Sequence, residues 1–299
     1  MTADNAMSWV NIAVAERETG VGKDTLRVWE RRYGFPRPER NENGDRLYPH
    51  NQITRLRLLK SLLDRGHRAG KIVGASDADL KLLDERELPS EGAKTASADS
   101  SNSSGGLSEL RHRNGIGWRT YLLQQLAQVG LERFLTETLP RMNSLVGEAW
   151  SRGELQVYEE HVYTEQVQNL LRQTISTLPA GEKQPLILLT TVLGEPHLLG
   201  VLMVEALLAL RGIRTLSLGA QTPLKDMAEA ARAHSVQVVA LSFSAAYPAR
   251  RLQPVLGELR QMVDDTVRIW VGGAGTSRLA KDIRGVERVS DLSELLTKA

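Results

Sequence analysis

The chain contains no cysteine, which excludes disulfides, thiolate metal sites and cysteine nucleophiles. It lacks any apolar run near the roughly 20 residues that a membrane span requires. Charged residues break up the first thirty positions, so no signal-peptide pattern opens the chain. The expectation is a soluble cytoplasmic protein with no membrane partner. An excess of one charge is also missing: 38 Lys and Arg stand against 36 Asp and Glu, a net charge of +2. The chain as a whole is therefore no polycation.

The charge that is present is unevenly placed. Met1 to Ala75 carry 14 Lys and Arg against 9 Asp and Glu, and the rest of the chain is net acidic. A basic N-terminal segment on a near-neutral protein points to a local anionic partner, with nucleic acid the first candidate. At 299 residues the chain is long for one compact core, so two or three domains are expected.

Four regions separate along it. Residues 8–84 are basic with short helical patterns. Residues 85–115 include ELPSEGAKTASADSSNSSGG, polar and small, which cannot bury enough apolar surface to offset its ordering entropy and reads as a flexible linker. Residues 116–180 are helical, with Leu122, Leu126, Val129, Leu135, Leu139 and Val146 recurring near one helical turn. Residues 181–299 alternate apolar runs (186–191, 215–219, 238–244, 269–273, and a short one at 286–289) with amphipathic helices. That alternation implies parallel βαβ units in a five-stranded, doubly wound, flavodoxin-like sheet. The expected fold is multidomain: an all-α-rich winged helix-turn-helix, a four-helix-type bundle and an α/β domain.

The N-terminal run NIAVAERETGVGKDTLRVWERRYG reads as two short helices with a tight turn at Gly20–Gly22. Leu26, Val28 and Trp29 are expected to face the core from the second helix. Its opposite face offers Lys23, Thr25, Arg27, Arg31 and Arg32, which suits the major groove of double-stranded DNA. Pro36 and Pro38 then prevent helix, and Asn43-Gly44 signals a hairpin carrying Arg37, Arg40 and Arg46. The TGV…TLRVWERRYG run, the P-x-P-x-R exit and the G-x-R-x-Y wing end at Gly44, Arg46 and Tyr48 closely resemble the DNA-binding domain of the MerR superfamily. That resemblance implies a winged reader whose DNA contacts include these basic residues and Tyr48.

In the C-terminal region, Glu195-Pro196-His197-Leu198-Leu199-Gly200 follows the first strand and opens the first helix. Loops at the carboxyl ends of such strands form the ligand crevice. An imidazole there can ligate a metal, and a nearby carboxylate can fix its tautomer. By itself a His near a strand end more often serves as a structural hydrogen-bond partner. Two further elements change that weighting: Ser242 and Ser244 after the third strand, and Gly272-Gly273 after the fourth. The three together resemble the D/E-x-H-x-x-G … S-x-L … G-G pattern of cobalamin-binding domains. There the His is the lower cobalt ligand, the Ser contacts the displaced base and the glycines leave room for the nucleotide tail. Ser244 departs from that pattern, which has Leu in a position lining the tail pocket.

In the helical region, Trp150 is followed after nine residues by Glu160-His161. This resembles the cap bundle of the CarH/LitR type of cobalamin-dependent photoreceptor repressors, in which the Trp covers the upper face of the corrin and the Glu and His sit around the adenosyl group. Several members carry a His directly after the Trp, whereas Ser151 stands here. The resemblance implies adenosylcobalamin as cofactor, no enzymatic activity, and a light-responsive repressor whose homo-oligomer, dimer or tetramer, holds DNA. Two other functions fit parts of the pattern. One is a light-independent regulator responding to cobalamin, another tetrapyrrole or a protein antirepressor. The other is a corrinoid carrier of a methyltransferase system, which the N-terminal reader opposes.

Overall fold

The computed structural model describes residues 9–64, 67–86, 115–151, 155, 157–279 and 282–298. Most of the linker expected at 85–115 lies outside the described residues; among those described, Arg86 ends one helix and Gly115 begins another. Packing divides the chain into two compact units, 1–111 with 145–160, and 112–144 with 161–299. No helix among the described residues is long and apolar enough to cross a membrane.

In the first unit, β1 (Trp9–Asn11) leads into α1 (Ile12–Thr19) and α2 (Lys23–Tyr33). The Asn11 side chain accepts from the Val14 N–H and caps α1. Gly20 ends that helix at φ +67°, a left-handed conformation that a residue with a Cβ adopts only with strain. Helix α2 begins after Gly22, which has no side chain to cap it. Glu16 fills that role from α1: its carboxylate accepts from the Lys23 N–H at 3.1 Å and pairs with Lys23 Nζ at 3.2 Å. The hairpin β2 (Glu39–Arg40) and β3 (Arg46–Pro49) forms the wing, with β1 on the other edge of β3. Helix α3 (His50–Asp64) then crosses the back of the reader, followed by α4 (Ala69–Ile72) and α5 (Asp77–Arg86). Leu26, Trp29, Tyr48, Ile53, Leu56 and Leu59 lie in one core cluster.

The helical region contains α6 (Gly115–Val129), α7 (Leu131–Arg133), α8 (Leu139–Ser151) and α9 (Val157–Thr177), with a π-helical turn at Phe134–Thr138 joining α7 to α8. Its part of the second unit is keyed by an aromatic pair, Trp118 edge-on to Tyr163 with ring centroids 5.1 Å apart. The Tyr163 hydroxyl donates to Asn143 Oδ1 at 2.6 Å.

The α/β part follows as β4 (Lys183–Val192), α10 (Leu199–Leu210), β5 (Ile213–Thr222), α11 (Leu224–Ala233), β6 (Val238–Ser242), α12 (Ala249–Met262), β7 (Arg268–Gly272), β8 (Val286–Arg288) and α13 (Leu292–Lys298). All the strand pairings are parallel, in the order β5-β4-β6-β7-β8. This is the doubly wound order 2-1-3-4-5, whose topological switch falls between the first and third strands in sequence, β4 and β6. The five apolar runs correspond to the five strands because central parallel strands are covered on both faces; Ile187 to Val192 are buried without a break.

Candidate functional site: a nucleic-acid reader and a corrinoid crevice

On α2, Leu26 and Trp29 point into the core while Asp24, Thr25, Arg27, Arg31 and Arg32 are exposed. Val28 is also exposed, at 40%, which corrects its expected place in the core. At 100° per residue it falls on the outward side, a turn away from Thr25 and from Arg31. Lys23 is half-buried and committed to Glu16. Arg27 pairs with Asp24 at 3.1 Å within the exposed face.

On the wing, Arg37 and Arg40 are exposed and brace the loop through the carbonyls of Gly34 and Gly44. Arg46 donates from Nε to Glu30 Oε2 at 2.7 Å, tying the wing to α2. The Glu30 carboxylate raises the Arg46 pKa further above its ordinary value. Tyr48, expected among the DNA contacts, is 0% exposed, so its ring anchors β3 in the core rather than facing a ligand. The G-x-R-x-Y motif thus encodes wing placement: Gly44 turns at φ +79°, Arg46 clamps and Tyr48 anchors.

In the second unit, the crevice at the carboxyl edge of the sheet is built around Glu195. Thr191, at the end of β4, accepts from the Gln221 N–H and donates to the Glu195 carbonyl, fixing the loop that follows. Glu195 is 1% exposed, while the His197 side chain beside it is 56% exposed. Glu195 Oε1 meets His197 Nδ1 at 2.5 Å and accepts the His197 N–H at 3.1 Å. Glu195 Oε2 accepts from the Ser244 N–H at 2.7 Å and from Ser244 Oγ at 2.8 Å. Burial pushes the Glu195 carboxyl up, but hydrogen bonds from His197 and Ser244 outweigh it and hold the pKa below the ordinary value. An ionised carboxylate at Nδ1 keeps the ring proton there and directs the lone pair onto Nε2, the atom with which such an imidazole ligates.

Glycines set the floor of this crevice. A Cβ on Gly200 would lie 2.2 Å from Ser242 Oγ and 3.3 Å from Ser242 Cβ, so any larger residue there would turn the Ser242 hydroxyl away. Ser242 and Gly272 are register partners on β6 and β7. Gly273 has φ +92°, and a Cβ on it would lie 2.4 Å from the Phe243 carbonyl oxygen. A Cβ on Gly272 would meet only Val289 O, at 3.5 Å. Gly275, missed in the sequence, is as tight as Gly273: its Cβ would lie 2.4 Å from Ser244 O. The sequence reading also gave Ser244 a place in the tail pocket and missed its bond to Glu195.

The structure thus brings Glu195, His197, Gly200, Ser242, Ser244, Gly272 and Gly273 to one edge of one sheet. Among the described residues no three His, Asp or Glu side chains converge to hold a bare metal ion. A single carboxylate-backed imidazole above a glycine floor fits a metal that brings its own equatorial macrocycle, as a corrinoid does. Trp150 and Glu160 belong to the first unit and His161 to the second. Trp150 packs on Arg57 of α3, with Cζ 5.4 Å from the ring centroid, a contact that the sequence did not suggest.

Reader and crevice together define a DNA-binding transcription regulator with a corrinoid-type sensor domain. Comparison with known proteins agrees. The MerR HTH family regulatory protein profile matches residues 10–78, and the B12 binding domain profile matches residues 185–289. The chain is 30% identical over 279 residues to the HTH-type transcriptional repressor CarH of Myxococcus xanthus, covering 88% of each chain. It is 28% identical to the HTH-type transcriptional repressor CarA of the same organism, over 92% of this chain and 90% of that one. The monomethylamine corrinoid protein of Methanosarcina barkeri shares the fold at 19% identity and a TM-score of 0.51, over 67% of this chain and 98% of that chain. The chain belongs to the family of MerR-type regulators with a B12-binding domain that includes CarH and CarA. CarH and CarA are both named as repressors of transcription.

Proposed function

We propose that this protein is a cytoplasmic, cobalamin-dependent transcriptional repressor in which adenosylcobalamin controls a homo-oligomer, dimer or tetramer, that binds operator DNA, and in which light ends repression. The observation that carries the reading is the Glu195–His197–Ser244 hydrogen-bond set at the sheet's carboxyl edge, on the same chain as a MerR-type reader.

In this reading His197 holds cobalt through Nε2, and Glu195 and Ser244 keep the imidazole in the ligating tautomer. Ser242 and the glycine floor accommodate the nucleotide tail. Trp150, Glu160 and His161 form the cap that selects the adenosyl form. When bound, adenosylcobalamin supplies a photolabile cobalt–carbon bond. The protein turns that chemistry into regulation only through a difference in cofactor affinity between its assembly states. Thr25, Arg27, Arg31 and Arg32 read the major groove, with Arg37 and Arg40 on the flanking backbone. Arg46 and Lys23 hold the wing and the recognition helix in place.

The test is an absorption spectrum of the purified protein with and without adenosylcobalamin, before and after illumination, alongside light scattering and DNA binding. Dark binding with a base-off spectrum, assembly, and loss of assembly on illumination are expected. A protein that binds cobalamin but keeps its assembly and DNA affinity in light is a light-independent regulator, controlled by cofactor or by an antirepressor. Absence of cobalamin binding rejects the sensor reading.

A further inference from the structure

Val28 lies outside the core cluster of its unit. The core side of α2 is closed by Leu26 and Trp29, and Val28 stands outside it at 40% exposure. A β-branched residue on an exposed helix face lowers helix propensity relative to Ala, so it does not serve the helix. Its neighbours one turn away are Asp24, Thr25, Arg31 and Arg32, all exposed. Val28 is the apolar member of a face that otherwise holds only polar and charged side chains.

The lengths of these side chains divide the face by function. Arg27, Arg31 and Arg32 are long and cationic, and suit phosphates and guanine edges. Thr25 and Val28 are short and lie at i and i+3 on one row, so they meet whatever the helix axis itself approaches. In a major groove that is the floor of base edges. The apolar feature displayed there is the C5-methyl group of thymine. In a helix, Val holds one dominant χ1 rotamer, so its two methyls are presented without further loss of freedom.

We propose that Val28 is a specificity-determining residue that reads the C5-methyl of a thymine in each half-site. This rests on the reading of α2 as a sequence-specific recognition helix. The surrounding arginines supply the attraction to the duplex, and Val28 supplies discrimination between thymine and a pyrimidine without the methyl.

The experiment uses the full-length protein in the dark with adenosylcobalamin. Binding sites are isolated from a randomised duplex pool, and each thymine of the consensus is then replaced singly by deoxyuridine. For the parent protein, one thymine per half-site should cost about fourfold in affinity on losing its methyl, the value of one buried methyl-sized group. Val28→Ala should bind the unmodified site about fourfold more weakly, show no further loss at that one uracil, and keep the parent response at every other position. Its salt dependence should be unchanged, since no phosphate contact is removed. Circular dichroism checks that Val28→Ala folds as the parent does, as expected for a solvent-facing position. A parent-like uracil profile in Val28→Ala, or a consensus with no uracil-sensitive thymine, overturns the proposal and leaves the recognition helix standing. A pool that yields no consensus overturns both.

Discussion

The guanidinium of Arg57 donates to the Glu18 carboxylate, 3.3 Å from Nη2, and lies over the indole of Trp150, 93 positions further along the sequence. Its side chain is 1% exposed, and burial lowers its pKa against the opposing pull of Glu18. Breaking a buried pair by removing one partner leaves the other charge uncompensated. Arg57→Ala should therefore cost the reader about 3 kcal/mol. Trp150→Ala should cost about 1–2 kcal/mol through the lost cation–π contact, and Trp150→Phe less. Hydrogen exchange along α3 reads both. Protection unchanged from the parent in all three variants would show that the stack contributes nothing to the reader.

Trp150 also tests the sensor. As the proposed cap of the adenosyl group, it predicts that Trp150→Ala loses preference for adenosylcobalamin over methyl- and hydroxocobalamin, because the shape that suits a bulky upper group is gone. Arg57→Ala should leave that preference intact. Equal loss in both variants would mean that Trp150 influences the cofactor only through the fold of the reader.

His197→Ala should lose the lower-ligand spectrum and most cofactor retention on a desalting column. Glu195→Gln should weaken retention by about 10- to 100-fold, as removal of an outer partner of a metal-bound imidazole does. Ser244→Ala should be mildest, since its backbone N–H still donates to Glu195. Retention in the order His197→Ala above Ser244→Ala would reject this hierarchy.

The paired glycines are not equivalent. Gly273→Ala forces a side chain into a backbone conformation that is almost glycine-only and against the Phe243 carbonyl, at a cost of about 3 kcal/mol. Gly272→Ala meets an ordinary contact and should lower the melting temperature far less. Similar melting temperatures for the two variants would contradict the geometry.

For the reader, Arg40→Ala should reduce the slope of log affinity against log salt by about 0.9, the signature of one lost phosphate contact. Arg46→Ala should weaken binding to all sequences by loosening the wing. In a double-mutant cycle it should couple to Glu30→Ala, since the two side chains share one ion pair. Additive effects of Arg46→Ala and Glu30→Ala would make Arg46 a direct ligand of DNA instead.

In the light-responsive reading proposed above, Ser151 would set the outcome of illumination. Where an imidazole could take over the upper side of cobalt, a hydroxyl is a poor ligand. Illuminated protein should release its cofactor on desalting, and fresh adenosylcobalamin in the dark should restore assembly. A cofactor retained with a two-histidine spectrum would place another histidine in that role.

What was legible in the sequence was whatever repeats along it. The buried strands around Ile187 and Val239 appear as apolar runs because both faces are covered. The wing announces itself through Asn43-Gly44 because a tight turn restricts its residue types. Val28 is apolar yet exposed, because the core side of its helix is already closed by Leu26 and Trp29 and hydrophobicity alone does not fix burial. Arg57 was indistinguishable from the other basic residues of its helix, such as Arg55 and Lys60, and its partners Glu18 and Trp150 come from distant segments. Gly275 and the Ser244–Glu195 bond stayed invisible because backbone approach between loops leaves no periodic trace.

That last pair of contacts has an evolutionary consequence. Ser244 donates to Glu195 through its side chain and main chain, and its carbonyl leaves no room for a Cβ on Gly275. A new side chain at 275 would displace the loop that carries 244, and with it the main-chain N–H that donates to the Glu195 carboxylate. Across related chains the glycine at 275 should persist wherever the carboxylate at 195 does, while the side chain at 244 can vary, because its main-chain N–H keeps donating.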